Sequence, residues 1–150
     1  MKSWLWLHLG LILFGLAGLL TAVSSAMMYL LQSAQLKSKH PNNTFFKLPS
    51  LDLLDRVHFT SLVWGTLLFS LGLLTGVFWA RDLRELGQVF YDRRVILSVA
   101  ACLLYWGIVG LRYSSLRRGQ KIAVGTVFVF ILLFVSLVSS HNISHFSGGA

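Results

Sequence analysis

The sequence predicts an all-α integral membrane protein, a four-helix bundle with both termini on the outer (periplasmic) side. Three observations carry that expectation. The chain of 150 residues is 55% hydrophobic and only 12% charged, with mean hydropathy +0.71. A soluble domain carries about a quarter charged residues, so too few are present for a water-facing surface. Four apolar stretches approach the ~20 residues that a helix needs to cross a bilayer. Lysine and arginine are also shared unevenly among the segments that join them.

The first span is expected at about residues 5–31. Backbone groups in lipid must bond within their own segment, so this and every other span should be helical. Gly18, Ala22 and Ala26 form a small-xxx-small ridge suited to close helix packing. A cleaved signal peptide is the rival reading, on the Met-Lys start and Ser24-Ser25-Ala26. Signal cores run ~7–15 apolar residues. This run is longer and closes on YLLQSAQLKSK, a stop-transfer-like flank, so a retained span is expected.

The second span is expected at 59–80, with GLLTG placing Gly72 and Gly76 four apart. Its helix should begin after Pro49-Ser50, with Ser50 as N-cap and Asp52 and Asp55 as first-turn acids. The third span, 95–113, ends with Arg112 snorkelling to the interface. The fourth covers 122–140. Segments on one side carry eight basic residues, among them Lys37, Arg56, Arg117 and Lys121, against five on the other. The side richer in Lys and Arg is the cytoplasmic one, which puts both termini and the central Arg81–Arg94 segment outside. Trp4, Trp6 and Trp79 then fall at outer boundaries, where interfacial aromatics belong.

Several function classes are not expected. The formal charge of +8 reads as membrane topology, so no nucleic acid partner is expected. Cys102 is the one cysteine, which rules out an internal disulfide and a CxxCH haem attachment. No glycine-rich phosphate loop, GxSxG or HExxH occurs. NNT and NIS match the glycosylation pattern, but nothing else supports modification.

The histidines are the chemical signal. His40 stands beside Pro41 and reads as solvent-exposed; His58 reads as interfacial, with a proton-handling or ligand role as the alternative. His8 lies inside an apolar run, where an ionisable group is costly and needs a partner. His141 and His145, at the end of the fourth span, fall on the same outer side as His8. These three are either hydrogen-bonded interfacial histidines or a shared ligand site. Imidazole suits zinc, copper and iron, yet no carboxylate or thiolate joins the set at metal spacing. Two histidines from different helices are the usual clamp for a b-type haem. The segment ARDLRELGQVFYDRR brings arginines, Arg81 and Arg84 among them, able to pair with haem propionates. Its alternative is an amphipathic segment lying on lipid headgroups.

Four stretches together resemble the cytochrome c assembly family of haem-handling membrane proteins, the CcsA, ResC and HemX-like group, over its C-terminal half. LWLHLGLILF through YLLQSAQLKSK resembles the family's histidine-led helix. LPSLDLLDR through LGLLTGVFWA resembles the next helix, YDRRVILSVAACLLYWGIVGLRYSSLRRGQKIA the third, and SHFSGG the terminal element. The resemblance implies two outer histidines that ligate haem; His8 matches the first and His145 the second. The family's tryptophan-rich WG…WDPKE loop is replaced here by RDLRELGQVFYDRR, and Arg112 stands where assembly members carry a further histidine.

The expectation is therefore a bacterial inner-membrane protein that binds a non-covalent haem b near the outer face. His8 and His145 would be the axial ligands, His141 the substitute, with Arg81, Arg84 and Trp79 around the group. Its role would be haem handling or electron transfer, in contact with lipid, other membrane subunits and a c-type cytochrome outside. The alternative is a haem-free structural or assembly subunit of a respiratory or photosynthetic membrane complex. A true haem lyase acting with partner chains is a third reading, against which the missing tryptophan-rich loop counts.

Overall fold

The computed structural model describes residues 2–38, 50–82, 93–114 and 119–142. Within these ranges the side chains of 2, 38, 79–82, 93, 94, 136, 137 and 139–142 lie outside the description. Four helices result: α1 (Lys2–Ser38), α2 (Leu51–Asp82), α3 (Arg93–Ser114) and α4 (Gly119–Asn142). Three of them, over Ser3–Lys37, Leu51–Phe78 and Val95–Ser114, are long and apolar enough to cross a membrane. In α4 the apolar stretch Gly119–Val135 is shorter.

The exterior is what lipid requires. Trp6 is 71% exposed, Phe14 72%, Leu103 67% and Phe128 65%. Water would penalise so continuous an apolar surface, whereas hydrocarbon does not. Polar residues of α1 bond within the helix: Thr21 donates to Ala17 O, Ser24 to Leu20 O and Ser25 to Thr21 O, each at 2.9 Å. They therefore interrupt the apolar run without leaving an unpaired hydroxyl.

The α1–α2 seam is built on small residues in antiparallel register. A β-carbon at Gly15 would stand 2.7 Å from Phe69 N, at Gly18 2.9 Å from Gly65 Cα, and at Gly72 2.7 Å from Ile12 Cγ1. Backbone thus meets backbone, and dispersion across the close approach replaces the hydrophobic drive that lipid removes. Ala22 and Ala26, the rest of the expected ridge, are buried. All four helices supply the core, which joins Leu19, Leu62, Phe69, Tyr105, Val129 and Leu133.

Helix limits differ from the expected spans for identifiable reasons. The first helix runs to Ser38 rather than stopping near Leu31, because its polar end continues a good helix-forming sequence. At 37 residues and 1.5 Å rise it is about 55 Å long, beyond a hydrocarbon core of about 30 Å. The second begins at Leu51, not Phe59: Ser50 caps it, with Leu54 N donating to Ser50 O at 3.0 Å and Leu53 N to Ser50 Oγ at 3.4 Å. That cap is the one the sequence predicts. Arg81 and Asp82 continue α2, and Arg93 and Arg94 open α3, so the central segment is partly helical.

Candidate functional site

Antiparallel packing carries His8, the end of α2 and the end of α4 to one end of the bundle. His8 of α1 stands beside Gly76 of α2, where a β-carbon would be 2.7 Å from His8 Cε1. At the far end Lys37 of α1 donates to Gln120 of α4 at 3.3 Å, so α4 begins there and runs back towards His8.

His8 is part-buried against α2. Its Nδ1 lies 2.8 Å from Gly72 O and 3.2 Å from Thr75 Oγ1. Thr75 donates its own hydroxyl proton to the same carbonyl at 2.8 Å. Both neighbours of Nδ1 therefore accept, and Nδ1 must carry the proton. In the neutral ring Nε2 is left with the lone pair, the donor atom a metal needs.

The other expected site residues are not brought to His8 by anything described. His141 lies within α4, whose closing residues share the His8 end, but its side chain is outside the description. Trp79 and Arg81 lie on α2 at the same end, likewise without described side chains. His145 and Arg84 lie outside the described residues, as does His40. Among the described residues no three His, Cys, Asp or Glu side chains gather as a metal site.

His58 faces the bundle interior rather than its lipid-facing exterior. It is 2% exposed, deep between helices, with its Nε2 3.1 Å from Thr126 Oγ1. Thr126 donates to Ile122 O at 2.9 Å, so its oxygen accepts from His58 Nε2–H. His58 lies two turns into α2, on the side of that helix that meets α4.

Arg112 and Asp55 pair across helices, which the sequence does not announce. Arg112 forms a two-pronged ion pair with Asp55, Nη1 donating to Oδ1 at 3.0 Å and Nη2 to Oδ2. Both side chains are about three-quarters covered. Asp55 is thus an inter-helix partner, while Asp52 keeps the first-turn role and pairs with Arg56 at 3.1 Å. The Arg112 guanidinium also sits 5.4 Å over the Phe59 ring, which Tyr113 meets edge-on. A β-carbon at Gly119 would be 2.9 Å from Tyr29 Oη and 3.1 Å from Asp55 Oδ1, so α1 and α4 close on the same cluster. This four-helix clamp leaves no local pattern in the sequence, since Asp55 and Arg112 lie 57 residues apart.

A third polar layer lies between. Ser70 Oγ donates to Thr66 O at 2.6 Å, accepts from Trp106 Nε1 at 2.9 Å, and contacts the buried Cys102 Sγ at 3.1 Å.

Residues 1–145 match the family model described as cytochrome C assembly protein. Protein HemX of Brevibacillus brevis is 27% identical over 132 residues, which cover 87% of this chain and 48% of that protein. The chain thus spans about half the length of that relative. No solved structure matches. With span-length apolar helices and a family match over nearly the whole chain, this multi-pass membrane protein belongs to the cytochrome c assembly protein family.

Proposed function

We propose that the protein handles haem, holding a non-covalent haem b at the His8 end of a four-span bundle through His8 Nε2. The observation that carries this reading is the commitment of Nδ1 to Gly72 O, which leaves Nε2 as the open donor. Metal-bound histidines characteristically donate their other ring N–H in this way, so the residue present fits an iron ligand. His145 is the proposed second ligand and His141 its substitute, since α4 ends on the same side. Arg81 and Arg84 would meet the propionates, and Trp79 the ring. Haem with two imidazoles supplies one-electron transfer rather than oxygen chemistry.

On this reading the His8 end faces the outer side of a bacterial inner membrane, with other membrane subunits and a c-type cytochrome as partners. A haem-free assembly subunit is the second reading, favoured by RDLRELGQVFYDRR standing in place of a tryptophan-rich loop. A reduced-minus-oxidised spectrum of the protein purified in mild detergent separates the two. Haem bands lost in His8→Ala and in His145→Ala support ligation. A haem-free protein, or bands untouched by both substitutions, defeats it.

A further inference from the structure

We propose that Gly72, Thr75 and Gly76 of α2 form a seat that holds His8 as an Nδ1–H imidazole through a neutral carbonyl, so that the acceptor at Nδ1 sets how strongly Nε2 binds iron. The inference rests on the haem reading above and specifies how the site would treat its cargo.

Two features build the seat. Gly76 sets the distance: a β-carbon there would stand 2.7 Å from His8 Cε1, 3.3 Å from Nδ1 and 3.5 Å from Nε2. Any larger residue pushes the ring off α2. Gly72 O then fixes the tautomer at 2.8 Å, with Thr75 Oγ1 as a second acceptor at 3.2 Å.

The kind of acceptor decides ligand strength. A carboxylate behind an imidazole draws its N–H proton and raises the basicity of the other nitrogen. Here the acceptor is a backbone carbonyl, and its lone pairs are shared with the Thr75 hydroxyl. The described carboxylate side chains, Asp52 and Asp55, belong to the opposite end, by the start of α2. His8 Nε2 thus receives less added donor strength than a carboxylate at Nδ1 would supply.

The first test needs no haem. The protein is labelled with 15N-histidine and studied haem-free in detergent micelles, the His8 signal being identified by its loss in His8→Ala. The expected spectrum shows protonated Nδ1 and unprotonated Nε2, and Gly76→Ala shifts it while leaving the His58 signal in place. An Nε2–H tautomer, or a His8 signal indifferent to Gly76→Ala, overturns the seat. In the second test Thr75→Asp supplies a carboxylate in the haem-loaded protein. The expected outcome is a lower midpoint potential and about tenfold slower haem transfer to apomyoglobin. Unchanged potential and transfer, with haem still bound, overturn the control of ligand strength by the acceptor at Nδ1. A wild-type protein that takes up no haem defeats the haem reading instead, and the tautomer result still decides the seat.

Discussion

His8 rests on Gly76 so closely that a β-carbon at Gly76 would stand 2.7 Å from His8 Cε1. The contact continues the register in which Ile12 meets Gly72, Gly15 meets Phe69 and Gly18 meets Gly65. One small-residue seam thus brings α1 against α2 and orients the candidate ligand.

The seam sets the first expectation. At Gly65 a β-carbon would be 2.8 Å from Leu19 N, and backbone cannot step aside as a side chain can. Gly65→Ala should cost about 1–3 kcal/mol through overpacking. Gly107 has nothing within 4 Å of its β-carbon position. Gly107→Ala should gain up to about 1 kcal/mol from helix propensity. Unfolding in detergent, followed by circular dichroism, checks both signs.

The Asp55–Arg112 pair sets the second. Arg112→Leu alone strands a covered carboxylate, and Asp55→Leu strands a covered guanidinium. For pairs between exposed and fully buried, each single change should cost about 2–3 kcal/mol. The double Leu variant should recover most of that loss, because neither charge is left unpaired. A double-mutant cycle on thermal midpoints measures the coupling; additive losses would mean the two residues act independently.

What the sequence made legible follows from what periodicity and composition encode. Helix number, the Ser50 cap and the small-residue ridge are local patterns, and each is found. The Asp55–Arg112 pair and the His58–Thr126 bond join helices far apart in sequence, so no spacing rule reveals them. The start of α2 after Ser50 is legible, but the burial of His58 is not, because it depends on which face of α2 meets α4. His8 was legible as a costly ionisable residue, but its partner was not, since a backbone carbonyl leaves no mark in sequence.

Tyr105 sets the third expectation. It is fully buried, and its hydroxyl has no hydrogen-bond partner among the described residues. A buried unsatisfied hydroxyl costs about 1–3 kcal/mol, so Tyr105→Phe should stabilise the bundle. A lowered melting temperature would show that the hydroxyl has a partner worth more than its burial costs.

His58 sets the fourth. Its Nε2–H is spent on Thr126, and it lies at the end opposite His8. His58→Phe should cost about 1–3 kcal/mol, leaving Thr126 Oγ1 one donor short, while haem content stays at the wild-type level. Loss of haem without loss of stability would make His58 a ligand.

Chemical rescue tests ligation by His8 most directly. His8→Gly removes the imidazole and leaves space beside Gly76 for a free one. The haem-loaded variant should lose the low-spin, two-imidazole magnetic circular dichroism spectrum and regain it when imidazole is added. A variant that keeps the wild-type spectrum without added imidazole would contradict ligation by His8.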